Sequence, residues 1–369
     1  MADTLRHGWT TGACATAATK AAYTALVTGE FPDPVSITLP RGHQPSFTLT
    51  TEERAEDWAR AAVVKDAGDD PDVTHAAVIC ATVRPGTPGA GVVFRAGPGV
   101  GTVTKQGLPL AVGEPAINPV PRRLMSEAVA EVATAHGQPG DVVVEVGVVD
   151  GEELARHTWN PRLGILGGLS ILGTTGVVVP YSCSAWIDSI RRGVDVARAA
   201  GYRHVAGCTG STSEQVAAEL YGLPEDALLD MGDFAGAVLK YVRRHPVPRL
   251  TIAGGIGKLA KLAAGHLDLH SGRSQVDLSH LAQLATQAGA PPELAHRLRE
   301  DDTNTALGAL RLCEQAGVPL GDVVADTARG VAVDVLRGAA VEVDILVIDR
   351  AGTIVGRAPR PNTGGDEHA

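Results

Sequence analysis

The chain has 369 residues, 44% of them hydrophobic and 20% charged, and 32 Lys and Arg against 42 Asp and Glu leave a formal net charge of −10. That length exceeds one ordinary hydrophobic core and suits two domains, and the balanced composition excludes a disordered chain. The acidic field and an aromatic content of only 4% argue against nucleic acid and anionic membrane surfaces as partners.

Five scattered cysteines without a CxxC pair argue against a disulfide framework and a thiolate zinc site. The N-terminus has no apolar leader core, and no apolar run is long enough to span a bilayer. The expectation is a soluble, cytoplasmic protein.

In chain order, residues 11–26 are Ala-rich and free of proline, and read as a helix ending at Gly29. Residues 35–39 alternate like a strand, and 76–83 and 91–95 are further strand candidates. A helix is expected over 121–136, with Pro121 in its first turn and Gly137 after its end, followed by a Val-rich buried strand over 142–149. The polar stretch 151–164 is the expected domain boundary.

Beyond it the rhythm changes. Strands are expected at 176–180, 204–208, 227–231 and 250–253, each followed by a helix, which implies a parallel sheet covered on both faces. Helices fill 278–336, and a hairpin is expected around Ala351-Gly352. The fold class is therefore an N-terminal α+β domain over 1–152, followed over 153–358 by an α/β domain with a mainly parallel sheet flanked by helices. The Pro-, Gly- and charge-rich residues 359–369 read as a disordered tail.

Thr10-Thr11-Gly12 opens the first helix, where hydroxyls and free N–H groups can hold an anion or simply cap the helix. The segment 65–72 places Asp66, Asp69, Asp70 and Asp72 beside Lys65. Clustered carboxylates suit a general base or a hard cation, and equally a solvated turn.

Gly99 and Gly101, ahead of Lys105, allow close backbone approach, while the proline-stiffened segment 113–122 presents Glu114, Asn118 and Arg122. A binding face and two structural loops are both open readings. The densest glycine segment, 164–176, ends in Gly173-Thr174-Thr175-Gly176 and carries no GxGxxG between strand and helix.

Two turns follow strands of the expected parallel sheet: Thr209-Gly210-Ser211, and Gly254-Gly255-Ile256-Gly257-Lys258. Ligands of such sheets bind at strand carboxyl ends, so a cofactor is expected there. The second turn departs from a P-loop, since the first glycine is missing and Leu259 stands at the magnesium-holding position. His266 and His270 share a face if helical, as metal ligands or as plain helix-end residues.

Together these segments resemble one family. Residues 6–15, 64–75, 99–105 and 113–122, then Leu169-Ser-Ile-Leu-Gly-Thr-Thr-Gly176, Thr209-Gly-Ser-Thr-Ser-Glu214 and residues 257–266, resemble the CbiD-type cobalt-precorrin-5B (C1)-methyltransferases in the same order. Two positions depart from the pattern: Gln106 replaces a proline, and Ser211 stands where a larger or basic residue is common.

The resemblance implies S-adenosylmethionine-dependent methylation of cobalt-precorrin-5B at C1, giving cobalt-precorrin-6A, on the anaerobic route to cobalamin. The cobalt belongs to the substrate, so no protein-bound metal is implied. Asp69 and Asp70 are then the candidate catalytic carboxylates. Thr10, Thr11, Gly12, Lys65, Asp66, Gly99, Gly101, Lys105, Glu114, Asn118, Arg122 and His266 are candidate substrate contacts for a carboxylate-edged ring. Gly173, Thr174, Thr175, Thr209, Gly210, Ser211, Gly254, Gly255, Gly257 and Lys258 are candidates for the donor.

Neighbouring pathway enzymes and further copies of the chain are the candidate macromolecular partners. Two other function classes remain in view: a non-catalytic corrinoid carrier, which needs no donor pocket, and a nicotinamide-dependent reductase, which lacks its fingerprint here.

Overall fold

The helix Thr11–Thr28 is nearly a column of alanine and threonine, and its small side chains let it lie tightly against a sheet. Thr10 caps it, its hydroxyl accepting from the Ala13 N–H at 3.2 Å, and Gly29 ends it at φ 89°. In this computed structural model, which describes residues 5–299 and 305–359, the helix covers strands Ala59–Val64 and Val78–Pro85 of a five-stranded sheet.

The order in that sheet is Thr51–Arg54, Ala59–Val64, Val78–Pro85, Val142–Val148 and Val92–Ala96, antiparallel except for the last pair. The helix Pro119–His136 packs beside the first helix. The hairpin 51–64 was not expected from the sequence, because its Ala-rich second strand reads equally well as helix.

The chain divides into two compact units, Met1–Ser184 and Ala185–Ala369. The division thus falls well after the expected boundary at 152. Residues 153–183 stay with the first unit because their backbone is hydrogen-bonded into it. Ile165–Leu166 pairs with Thr102–Val103, and Val177–Val178 pairs with Gly8–Trp9. The apolar run at 176–180, expected to begin the parallel sheet, is that short antiparallel ribbon.

The second unit is a sheet in the order Leu228–Asp230, His204–Cys208, Arg249–Gly255, Glu342–Ile348, Ile354–Ala358. The first four strands are parallel and the last is antiparallel. Helices Ser211–Tyr221 and Ala235–Arg244 connect the first three strands in sequence, and Ile256–Ala263 follows the third. Four more, Leu278–Gln287, Pro292–Arg299, Ala306–Gln315 and Leu320–Leu336, precede strand Glu342–Ile348.

The core is aliphatic, built from residues such as Val205, Leu250, Ile252, Leu259 and Leu262, all at 0% exposure. No helix among the described residues is long and apolar enough to cross a membrane. Of the expected C-terminal tail, residues 360–369 lie outside the described residues.

Candidate functional site

In the second unit, strand His204–Cys208 connects to Leu228–Asp230 on one side, while its other neighbour is Arg249–Gly255. The chain therefore leaves these two central strands in opposite directions, and the exits part to leave a crevice at their carboxyl ends. A cleft of about 640 Å³ lies there, within the size range of small-molecule sites.

Three helices begin at the cleft. Gly210, Gly255 and Thr305 are the N-cap residues of Ser211–Tyr221, Ile256–Ala263 and Ala306–Gln315. Their first-turn N–H groups and positive dipole ends favour anionic or polar ligand atoms. Apolar surface is supplied by residues such as Ile256, Val276, Leu278 and Leu307. Gly254 supports the wall from behind, since a Cβ there would stand 2.7 Å from Thr209.

Of the expected donor contacts, Thr209, Gly210, Ser211, Gly255 and Gly257 line this cleft. Lys258 does not. Its ammonium is engaged by the Asp233 carboxylate and also donates to the Leu269 carbonyl at 3.4 Å. The lysine lining the cleft is Lys261, one turn further on, 6% exposed and donating to the Leu269 carbonyl at 2.9 Å. Burial and the neighbouring Lys258 charge push its pKa down. Sequence reading missed it, although a lysine inside the otherwise apolar run 259–263 is a visible anomaly.

Gly173, Thr174 and Thr175 belong to the first unit, where a Cβ on Gly173 would strike the Thr10 hydroxyl at 2.3 Å. They lie on the segment 164–176, which is a strap of the first unit. Gly101 donates to Leu169 at 2.9 Å, Asn118 to Ile171 at 3.0 Å, Gly12 to Leu172 at 3.0 Å and Thr10 to Gly176 at 3.0 Å, all through backbone N–H groups.

One strap thus gathers motif loops of the first unit, and close approaches within that unit account for their glycines. A Cβ on Gly99 would lie 2.0 Å from the Val148 carbonyl, and one on Gly101 would lie 2.8 Å from the Gly168 carbonyl. The backbone that approaches these glycines is the protein's own.

The same contacts revise the anion reading of Thr10-Thr11-Gly12. Thr10 and Thr11 are 7% and 4% exposed, the Thr10 hydroxyl caps Ala13, and the Thr11 hydroxyl donates to Leu172 at 3.1 Å. These groups cap the helix and bind the strap.

The acidic loop is anchored rather than loose. Lys65, 1% exposed, pairs with Asp72 at 2.5 Å. Asp66 takes the Arg6 guanidinium, which with the Gly68 N–H holds its pKa down. Asp69 accepts from the Arg6 N–H at 2.6 Å and Asp70 from the Tyr181 N–H at 2.8 Å. Arg122 is committed to Glu114 at 2.7 Å and to the Ile117 carbonyl at 2.8 Å. Lys105 donates to the Arg162 carbonyl at 3.2 Å.

His266 and His270 do not share a helix face, because the helix ends at Ala263 and Gly265 turns the chain at φ 87°. His266 is exposed, and His270 accepts the Gly272 N–H through Nδ1 at 3.1 Å. Among the described residues, no group of three His, Cys, Asp or Glu can hold a metal ion.

Against known proteins, the family model described as CbiD matches residues 1–180, and that of the CbiD C-terminal domain matches residues 268–359. The cobalt-precorrin-5B C(1)-methyltransferase of Paramagnetospirillum magneticum is 61% identical over 360 residues, 97% of this chain and 100% of that protein. The enzyme of the same name from Brucella canis is 61% identical over 353 residues, 96% of this chain and 95% of that one. A crystal structure of the cobalamin biosynthesis protein CbiD from Archaeoglobus fulgidus is 28% identical, with 73% of this chain and 83% of that chain covered at a TM-score of 0.39.

Proposed function

Because the chain belongs to the CbiD family, we propose that it is the methyltransferase that converts cobalt-precorrin-5B to cobalt-precorrin-6A by methylation at C1, a step of cobalamin biosynthesis. The observation that carries this reading is 61% identity to named C1-methyltransferases over nearly the whole chain.

The methyl donor in this reading is S-adenosylmethionine, held at the strand-end cleft of the second unit. The cleft has the size, the apolar surface and the N–H-rich helix starts that a nucleoside joined to an amino acid needs. In the reaction, the ring carbon forms a bond to the methyl carbon as the carbon–sulfur bond breaks. The electron pair stays on sulfur, which becomes a neutral thioether, and the ring loses a proton.

Such a displacement depends mainly on holding the two reacting atoms in line, which in well-oriented systems is worth several kcal/mol. An apolar cleft helps further, since positive charge on sulfur is lost as the reaction proceeds.

The first unit supplies the proposed substrate contacts. Along and beside the strap, Leu166, Leu172, Val179 and Tyr181 remain 53%, 46%, 49% and 67% exposed. Exposed large apolar groups suit the face of a macrocycle. Asp69 and Asp70 are the proposed carboxylates for the departing proton or for ring placement, and their anchoring to Arg6 and Tyr181 gives each a fixed position.

The test is turnover of cobalt-precorrin-5B with methyl-¹³C S-adenosylmethionine. The expected outcome is S-adenosylhomocysteine together with a corrinoid carrying the label at C1. Label at another ring carbon, or corrinoid binding without any S-adenosylhomocysteine, sinks the reading, and the second result favours a carrier.

A further inference from the structure

Buried lysines are ordinarily paired with an anion. The first unit follows this rule at Lys65, whose ammonium meets Asp72. The second unit does not follow it at Lys261. That side chain is 6% exposed and lines the cleft. The two acidic groups whose charge reaches it are engaged elsewhere, Asp233 by Lys258 and Asp268 by Arg273.

Among the described residues, the only hydrogen-bond acceptor for Lys261 is the Leu269 carbonyl. An ammonium has three donors, so two remain for a ligand. The neighbouring polar surface is also rich in donors: the first turns of three helices of 11, 8 and 10 residues begin at the same cleft. The cleft gathers a buried cation and three positive helix ends, and the Asp349 carboxylate that also lines it is taken up by the Ala351 and Thr353 N–H groups, each at 2.8 Å.

We infer that Lys261 binds the carboxylate at the amino-acid end of the methyl donor, an assignment that rests on the donor reading of this cleft. The donor has one carboxylate, and a charge-assisted hydrogen bond from a buried ammonium fixes that end and hence the line of the reactive methyl. Carboxylates also edge the corrin substrate, so the test must separate the two sources.

Calorimetry with S-adenosylhomocysteine and with 5′-methylthioadenosine, which lacks the amino-acid carboxylate, does so. Lys261→Met is expected to weaken S-adenosylhomocysteine binding by roughly ten- to a hundredfold while leaving 5′-methylthioadenosine binding unchanged. Lys261→Arg, which keeps the charge, is expected to recover part of the loss. Unchanged S-adenosylhomocysteine affinity in Lys261→Met overturns the assignment. So does equal weakening of both ligands, which marks the lysine as structural, and so does an effect confined to corrinoid affinity. If the wild-type protein binds neither adenosine ligand, the donor reading of the cleft itself falls, and the role of Lys261 falls with it.

Discussion

Gly254 and Thr209 meet across the two central strands of the second unit so closely that a Cβ on Gly254 would lie 2.7 Å from both Cγ2 and Oγ1 of Thr209. Thr209 begins the turn that lines the cleft, so the fit between these residues sets the cleft wall. Gly254→Ala should displace Thr209 and destabilise the unit by about 1–3 kcal/mol, the usual cost of overpacking. Affinity for S-adenosylhomocysteine should fall with it. By contrast, a Cβ on Gly255 has its nearest neighbour at 4.0 Å, the Ile348 carbonyl. Gly255→Ala should leave the thermal midpoint nearly unchanged, and thermal unfolding of the two variants side by side checks the contrast.

Lys65 and Asp72 form a buried pair in the first unit. Burial alone would raise the Asp72 pKa, but the Lys65 ammonium and the Thr74 hydrogen bonds outweigh it and hold the carboxyl below its ordinary value. A carboxyl depressed in the folded state stabilises the fold above its unfolded pKa of about 3.9, and this contribution is lost as pH falls through the lower folded value. Asp72→Asn should cost about 3 kcal/mol at neutral pH, near the low end for stranding a buried charge, because Asp72 keeps 26% exposure. The same variant should lose the steep acid limb below about pH 4 that this pair contributes. Denaturant unfolding across that range is the measurement.

His204 gives a second, separate window. Burial, reinforced by the nearby Arg249 charge, pushes its pKa down to about 4. Its Nε2 lies 2.8 Å from the Thr251 hydroxyl. A histidine kept neutral in the fold makes the unfolded chain the better proton binder between about pH 6.5 and about 4. The contribution of His204 to stability should therefore fall as pH drops through that interval and level off below it. His204→Gln should flatten the decline; an unchanged slope in that variant means the imidazole is not its source.

The anchored carboxylates of the first unit carry the proposed proton step. Asp69→Asn and Asp70→Asn, made singly and together, should leave S-adenosylhomocysteine affinity intact. The double variant should slow single-turnover methylation by roughly a hundredfold or more, as loss of a general base typically does. Normal turnover in the double variant removes these residues from the mechanism.

The strand–helix alternation of the second unit was legible because periodicity and loop glycines agree there. The expected strand at 204–208 and helix from 184 reappear as His204–Cys208 and Ser184–Ala199. The strap of the first unit was not legible. Its glycines look like ligand-cradling turns, and only the folded chain reveals that their close neighbours are Thr10, Leu39, Gly99 and other parts of the protein.

The site divides in the same way. Strand-end turns such as Thr209-Gly210 follow from the α/β pattern, since parallel sheets place ligands there. The choice between Lys258 and Lys261 does not, because it depends on Asp233, which lies 25 residues upstream and captures Lys258. A contact of that kind leaves no local spacing to read.

The central claim is that the methyl donor lies at the strand ends of the second unit. Amide hydrogen exchange with and without S-adenosylhomocysteine tests it most directly, since bound ligand slows opening where it sits. The account predicts protection in residues 209–213, 255–258 and 305–308, with residues 173–176 unchanged. Protection confined to 173–176 or to the acidic loop 66–72, with the strand-end turns exchanging as before, would contradict it.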